Sequence, residues 1–195
     1  MKKNVTPKKY TIIDNFLNKK DSKIIFESLT SNKFTYSLGR EFSTSLKNEQ
    51  RKAKKHFSNI KEYYQFCHML YDNEVKSNYF FIVEKILEKY VKKFRLKYVD
   101  LLRAKVNFQP KNVDFKKNNH NTPHRDSEKP HLALLYYVND SDGETFLFDK
   151  SKILKKIEPK KNRLLIFDGD ILHAGSHPSK HDFRLVINID ILKKP

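Results

Sequence analysis

The chain has 195 residues, 38% of them apolar and 13% aromatic, with a single cysteine and a formal net charge of +17. That describes one domain with a substantial core. It excludes a disordered chain, a disulfide-stapled secreted module and, because no apolar run is long enough to cross a bilayer, a transmembrane helix. The charge admits a polyanionic partner such as nucleic acid. The lysines are scattered in pairs, however, and the abundance of Lys, Asn, Ile, Phe and Tyr also follows from A/T-rich codons.

Residues 1–8 read as a frayed polar tail. No apolar segment follows the opening Met-Lys-Lys-Asn-Val-Thr-Pro, so a cytoplasmic location is expected. Tyr10 to Ile13 reads as a short strand. Asn18 is a helix cap with Asp21 as its reciprocal partner, and the helix it starts would run to about Ser31, burying Ile24, Ile25 and Leu29. Phe34 to Leu38 is a second candidate strand. Residues 39–55 are polar, basic and weakly periodic, either a loop or a ragged helix. Phe57, Ile60, Tyr64, Cys67 and Tyr71 recur at helical steps and predict a helix face, with Cys67 as a small apolar filler. A second helix is predicted near 75–95, with Tyr79, Ile82, Ile86, Tyr90 and Phe94 turned inward.

The pattern changes near residue 100. Leu101 to Gln109 alternates, which sets Arg103, Lys105, Asn107 and Gln109 on one face of a strand. Such a face borders either a wet cavity or open solvent. Residues 110–123 form a long polar loop of the kind that acts as a lid. Leu132 to Val138 and Glu144 to Phe148 flank the turn at 139–143 and predict a hairpin. Arg163 to Phe167 and Phe183 to Ile191 are further strands. The expectation is an α+β protein: a mainly helical part with edge strands over 1–100, packed against a jelly-roll core over 101–195.

His124 and Asp126 lie two apart, so on a strand they would project to one side. With His173 from a distant strand they would present two imidazoles and a carboxylate to a metal, the facial triad of non-haem iron sites. Arg184 lies inside an apolar strand and needs a buried anion, which a bound dicarboxylate would supply.

The order of these motifs resembles the Fe(II)/2-oxoglutarate-dependent oxygenases, in the prolyl-4-hydroxylase-like branch with its small phage and bacterial members. The resemblance rests on Tyr10-Thr-Ile-Ile-Asp-Asn-Phe-Leu17, His124-x-Asp126, the segment from Tyr136 to Thr145, the segment from Asn162 to Gly169, His173-Ala-Gly175 and Arg184-Leu-Val-Ile-Asn188. It implies a double-stranded β-helix that holds Fe(II) through His124, Asp126 and His173. It implies 2-oxoglutarate as cosubstrate with its distal carboxylate on Arg184, O2 as oxidant, and ascorbate as a possible reductant. Many members have Lys where this chain has Arg184, and a Tyr where the strand before His-x-Asp offers Asn107 and Gln109. These two resemble the polar oxoglutarate contacts of related branches.

A peptidyl side chain is the leading substrate expectation. A nucleobase or a small metabolite would be alternatives, as would a jelly-roll binding module without turnover. His173, His177 and His181 are spaced like a helical zinc site, but Gly175 and Pro178 argue against a helix there. His120 and His131 flank the triad and read as surface or strand-end residues ahead of the alternative, contacts to the triad or to substrate. His124-Arg125-Asp126 also spells a kinase triplet, which fails without a glycine-rich loop or Asp-Phe-Gly.

Overall fold

The computed structural model describes residues 10–39, 56–57 and 59–193. The expected tail at 1–8, and residues 40–55 of the 39–55 stretch, lie outside those residues. In chain order the elements are β1 (Tyr10–Ile13), α1 (Lys19–Leu29), β2 (Ser37–Gly39), β3 (Gln65–Asp72), β4 (Glu74–Val75), α2 (Phe81–Phe94), β5 (Leu101–Pro110), β6 (His131–Tyr137), β7 (Thr145–Asp149), β8 (Lys152–Ile157), β9 (Arg163–Asp168), β10 (His173–Gly175) and β11 (Phe183–Leu192). The large sheet runs β1-β9-β6-β11-β5-β3-β2, with β4 beside β3; the small sheet runs β10-β7-β8. Together they form the core of a double-stranded β-helix, with every strand pair antiparallel.

Period-two alternation divides the large sheet into two faces. On β11, Leu185, Ile187 and Ile189 are fully buried with Ile82, Ile86 and Ile25 of the helices. The intervening Val186 packs with Ala133, Leu135, Tyr137 and Leu147 between the sheets. On β5, Ala104 and Val106 belong to the helix-side core. That leaves Arg103, Lys105, Asn107 and Gln109 for the inner face, where the last three line a polar pocket. The wet-cavity reading of this strand therefore holds.

Asn18 caps α1 as expected: its side chain accepts from Asp21 N at 2.9 Å and donates back to the Asp21 carboxylate at 2.6 Å. Such a cap contributes about 1 kcal/mol. Helix α2 begins later than the sequence suggests, and Phe94 at its end is 41% exposed rather than inward. Asn162, at φ 64, receives Leu17 N at 2.8 Å and donates to Leu17 O at 2.8 Å, pinning the segment after β1 onto the start of β9.

Three expectations are corrected. The aromatic spacing over 57–71 does not make a helix: Gln65–Asp72 is a strand bonded to β5, with Phe66 opposite Phe108 and Cys67 opposite Asn107. Pairing across a sheet outweighed a spacing that also fits a helix. Cys67 is accordingly a strand residue whose thiol lies 3.4 Å from Asn107 Oδ1. The second correction concerns the predicted hairpin. Strand β6 pairs with β9 and β11, whereas β7 pairs with β8 and β10, so the turn at 139–143 carries the chain from one sheet to the other. Third, His124 is not within a strand. It makes an isolated antiparallel bridge to His173, and Asp126 lies in the loop that leads to β6.

Candidate metal centre

Backbone bonds in both directions between His124 and His173, each 3.0 Å, clamp the loop before β6 to the start of β10. The clamp brings the two imidazoles to 4.6 Å between ring centroids. His124 Nε2 lies 3.8 Å from Asp126 Oδ1, and His173 Nε2 lies 3.1 Å from Asp126 Oδ2. Ligand atoms of the three residues all fall within 4.8 Å of one another, a spacing that fits one small cation. In each ring the far nitrogen meets a backbone carbonyl: His124 Nδ1 is 3.1 Å from Thr122 O, and His173 Nδ1 is 3.5 Å from Ile171 O. With Nδ1 donating there, the Nε2 lone pairs are free for a metal.

Burial pushes His124 down to about 3, aided by the neighbouring His173 and Lys105 and opposed by Asp126. The ring is thus neutral, as a metal ligand must be. Asp126 stays ionised. Burial alone would raise its pKa, but His173 and Arg103 hold it well below the usual carboxylate range. Both of its oxygens are also gripped: Arg103 Nη2 donates to Oδ1 at 2.5 Å and Asn188 Nδ2 to Oδ2 at 3.0 Å. Arg103 reaches Asp190 too, at 2.8 Å and 3.1 Å. A carboxylate with 1% of its side chain exposed is therefore held in one orientation before any metal arrives.

Arg184 lies at the other end of the same pocket, 4% exposed. Its Nη1 donates to Gln109 Oε1 at 2.5 Å and its Nη2 to Thr145 Oγ1 at 2.8 Å, while Tyr137 OH donates to the same Thr145 oxygen at 2.8 Å. Among the described residues no carboxylate reaches Arg184, and its Nε is buried without a partner. Gly175 keeps the approach open. A methyl group there would stand 3.2 Å from Nη1 and 3.3 Å from Gln109 Oε1. A buried cation with only neutral partners requires an anion, and a planar guanidinium matches a carboxylate. The donor set at one end and the unpaired cation at the other fit Fe(II) and a dicarboxylate.

The pocket brings together His124, His173, Arg184, Asn107 and Gln109, and Asp126 borders it through Asn188. His177 is buried in a loop, with its Nδ1 2.9 Å from Pro110 O, and lies outside the pocket lining; His120 bonds to its neighbour's carbonyl. Asn188, Thr145, Asn121 and Gln65 join the lining without having been singled out from the sequence. The inner-face rhythm of β11, Arg184 to Asn188 to Asp190 within an apolar strand, was the available signal. A roomier concavity, about 640 Å³, lies elsewhere, between Tyr10, Ile166, Leu172 and Arg125, and holds none of these groups.

Residues 109–189, from the end of β5 through most of β11, match the family model described as the 2OG-Fe(II) oxygenase superfamily. That superfamily uses Fe(II), 2-oxoglutarate and O2. No curated protein sequence matches the chain. Among solved structures, a prolyl hydroxylase from Trichoplax adhaerens, in complex with a hypoxia inducible factor peptide fragment, is similar at TM-score 0.63 and 17% identity, over 94% of this chain and 83% of that one. A 2OG-Fe(II) oxygenase family oxidoreductase from Burkholderia pseudomallei aligns at TM-score 0.66 and 7% identity, over 94% and 85%. A Pseudomonas putida prolyl-4-hydroxylase aligns at TM-score 0.54 and 11% identity, over 96% and 94%. At these identities the likeness is one of fold. No helix among the described residues is long and apolar enough to cross a membrane.

Proposed function

We propose that this chain, an Fe(II)- and 2-oxoglutarate-dependent dioxygenase of that superfamily, hydroxylates a peptidyl side chain with release of succinate and CO2. His124, Asp126 and His173 are the metal ligands in this reading, and Arg184 takes the distal carboxylate of 2-oxoglutarate. The observation that carries it is one pocket with a three-residue donor set, His124, Asp126 and His173, at one end and a buried, anion-free guanidinium at the other.

Bound Fe(II), with 2-oxoglutarate and O2, supplies the oxidising power that breaks an unactivated C–H bond. The chain's own groups hold and orient. Arg103 and Asn188 fix the two Asp126 oxygens, so the carboxylate faces the metal in one pose. The carbonyls of Thr122 and Ile171 set the imidazole tautomers. Gln109 and Thr145 aim the guanidinium, and Leu135 and Val186 form apolar wall between the two ends. A fixed site keeps oxidation directed at substrate. The peptidyl substrate is supported by the fold shared with peptide-modifying hydroxylases.

The test is anaerobic loading with Fe(II) and 2-oxoglutarate, then O2 in the presence of a proteome-derived peptide pool. Peptide-dependent succinate release, with one oxygen added to a peptide by mass spectrometry, is expected. Stimulation by polynucleotides or small metabolites alone would overturn the peptidyl reading.

A further inference from the structure

The inner face of β5 carries three polar side chains whose work is accounted for. Arg103 binds Asp126 and Asp190, Asn107 meets the Cys67 thiol, and Gln109 binds Arg184. The fourth is Lys105. It lines the pocket with His124 and His173 and is paired in register with Asn188, whose amide holds the metal-ligand carboxylate. Its charge reaches His124. Yet among the described residues no carboxylate forms an ion pair with Lys105, while Arg103, also on this face, has two.

Charge balance makes that difference informative. With Fe(II) and 2-oxoglutarate in place, the metal, Arg103 and Arg184 are matched by Asp126, Asp190 and the two cosubstrate carboxylates. Lys105 is a further positive charge at the pocket, and the neighbouring Glu62 carboxylate bonds to Thr122 instead of to it. It is half-buried, at the pocket rather than on the outer surface. An ammonium in that position attracts an anion, and burial strengthens the attraction. The other lining groups on this side, Gln65, Asn107 and Asn121, are amides, and Asn121 Oδ1 is buried without a partner. A neutral pyrrolidine ring offers nothing to any of them.

We infer that Lys105 anchors a carboxylate of the prime substrate, so that the side chain hydroxylated is acidic, an Asp or Glu type group. The inference rests on the oxygenase reading and narrows its substrate class. The chemistry balances as for any hydroxylation with this cosubstrate. One atom of O2 enters the substrate C–H bond as C–OH, and the other enters succinate. O2 takes four electrons, two from that C–H bond and two from the C1–C2 bond of 2-oxoglutarate, which breaks as CO2 leaves. The anchoring ammonium stays protonated throughout.

The experiment is an anaerobic titration of the Fe(II)- and 2-oxoglutarate-loaded protein, following the visible charge-transfer band. The probes are acetyl-Gly-Asp-Gly-amide, its Asn and Pro counterparts, and free aspartate. The Asp probe is expected to bind the wild type about tenfold or more tightly than the Asn or Pro probe, the worth of one charge-assisted hydrogen bond. Lys105→Met should erase that preference while keeping the band, and Lys105→Arg should restore most of it. Equal binding of the three peptides, a preference that survives Lys105→Met, or no binding of either acidic probe would overturn the inference. A band lost in Lys105→Met alone would also overturn it, by assigning the ammonium to the cosubstrate. Binding of free aspartate without the blocked peptide would keep the anchor but sink the peptidyl reading. Tight binding of the Pro peptide alone would do the reverse.

Discussion

At the metal end of the pocket one carboxylate, Asp126, has a guanidinium on one oxygen and an amide on the other; at the far end one guanidinium, Arg184, has only a hydroxyl and an amide oxygen. Both groups are buried. In the proposed reading the metal end is thus assembled in advance, the Asp126 charge compensated within the chain. The far end is left one negative charge short, and in the proposed reading an anionic cosubstrate supplies it. Compensation costs binding power and gains order, whereas an uncompensated charge does the opposite.

The comparison breaks most visibly at the ligands. His124→Ala or Asp126→Ala should abolish iron retention after dialysis and reduce succinate formation to background. Turnover retained in either variant would remove that residue from the ligand set. The next largest effect separates the two guanidiniums by sign. Arg103→Met strands Asp126 and Asp190 and should cost about 3–5 kcal/mol in denaturant unfolding of the metal-free protein. Arg184→Met removes a buried, unpaired cation, so the metal-free protein should keep its stability or gain up to about 1–4 kcal/mol. Its 2-oxoglutarate affinity should nonetheless fall about tenfold to a hundredfold. Equal destabilisation by both substitutions would mean that the two ends do not differ in the way described.

The smallest effect concerns the turn that covers Arg184. Gly143 lies so close that an added methyl would stand 3.0 Å from Arg184 Cδ. The neighbouring Asp142 ties this turn to the segment before β11: it accepts from the Ser179 amide at 3.0 Å, the Ser179 hydroxyl at 2.8 Å and the His181 amide at 3.0 Å. Burial alone would raise its pKa, but the His181 and Ser179 donors hold it far below the ordinary 3.8. A carboxylate with a lowered folded-state pKa stabilises fully above the unfolded value and loses that contribution as pH falls through the folded value. Asp142→Asn should therefore cost about 1–2 kcal/mol near neutrality. The gap to wild type should close as the pH is taken from about 4 downward. A gap that widened in acid would reverse the assignment.

Much of this architecture was legible where the signal is local. The Asn18 cap, the periodicity of α2, the alternation of β5 and the apolar runs of β9 and β11 are written in neighbouring residues. The failures are nonlocal. Strands β6 and β7 adjoin in sequence but belong to different sheets, and nothing between Val138 and Thr145 announces the crossing. Strand β8, with Lys152, Lys155 and Lys156 among its six residues, carries too little apolar pattern to be read as a strand. Residues 57–71 misled because aromatic side chains at helical steps also suit β3 beside β5. At the site, the order of His124, Asp126, His173 and Arg184 was visible, and so was the inward face of β5. The partners were not: that Arg103 serves Asp126 and Asp190, or that Asn188 holds Asp126, depends on strand register between β5 and β11 and on the loop before β6.

The central claim is that the two ends of one pocket hold Fe(II) and 2-oxoglutarate together. Anaerobic titration of Fe(II)-loaded protein with 2-oxoglutarate, in wild type and Arg184→Ala, tests it most directly. A visible charge-transfer band that saturates in the wild type and weakens in Arg184→Ala, with iron content unchanged, is the expected result. A band of equal affinity in both proteins, or none with iron demonstrably bound, would contradict the account.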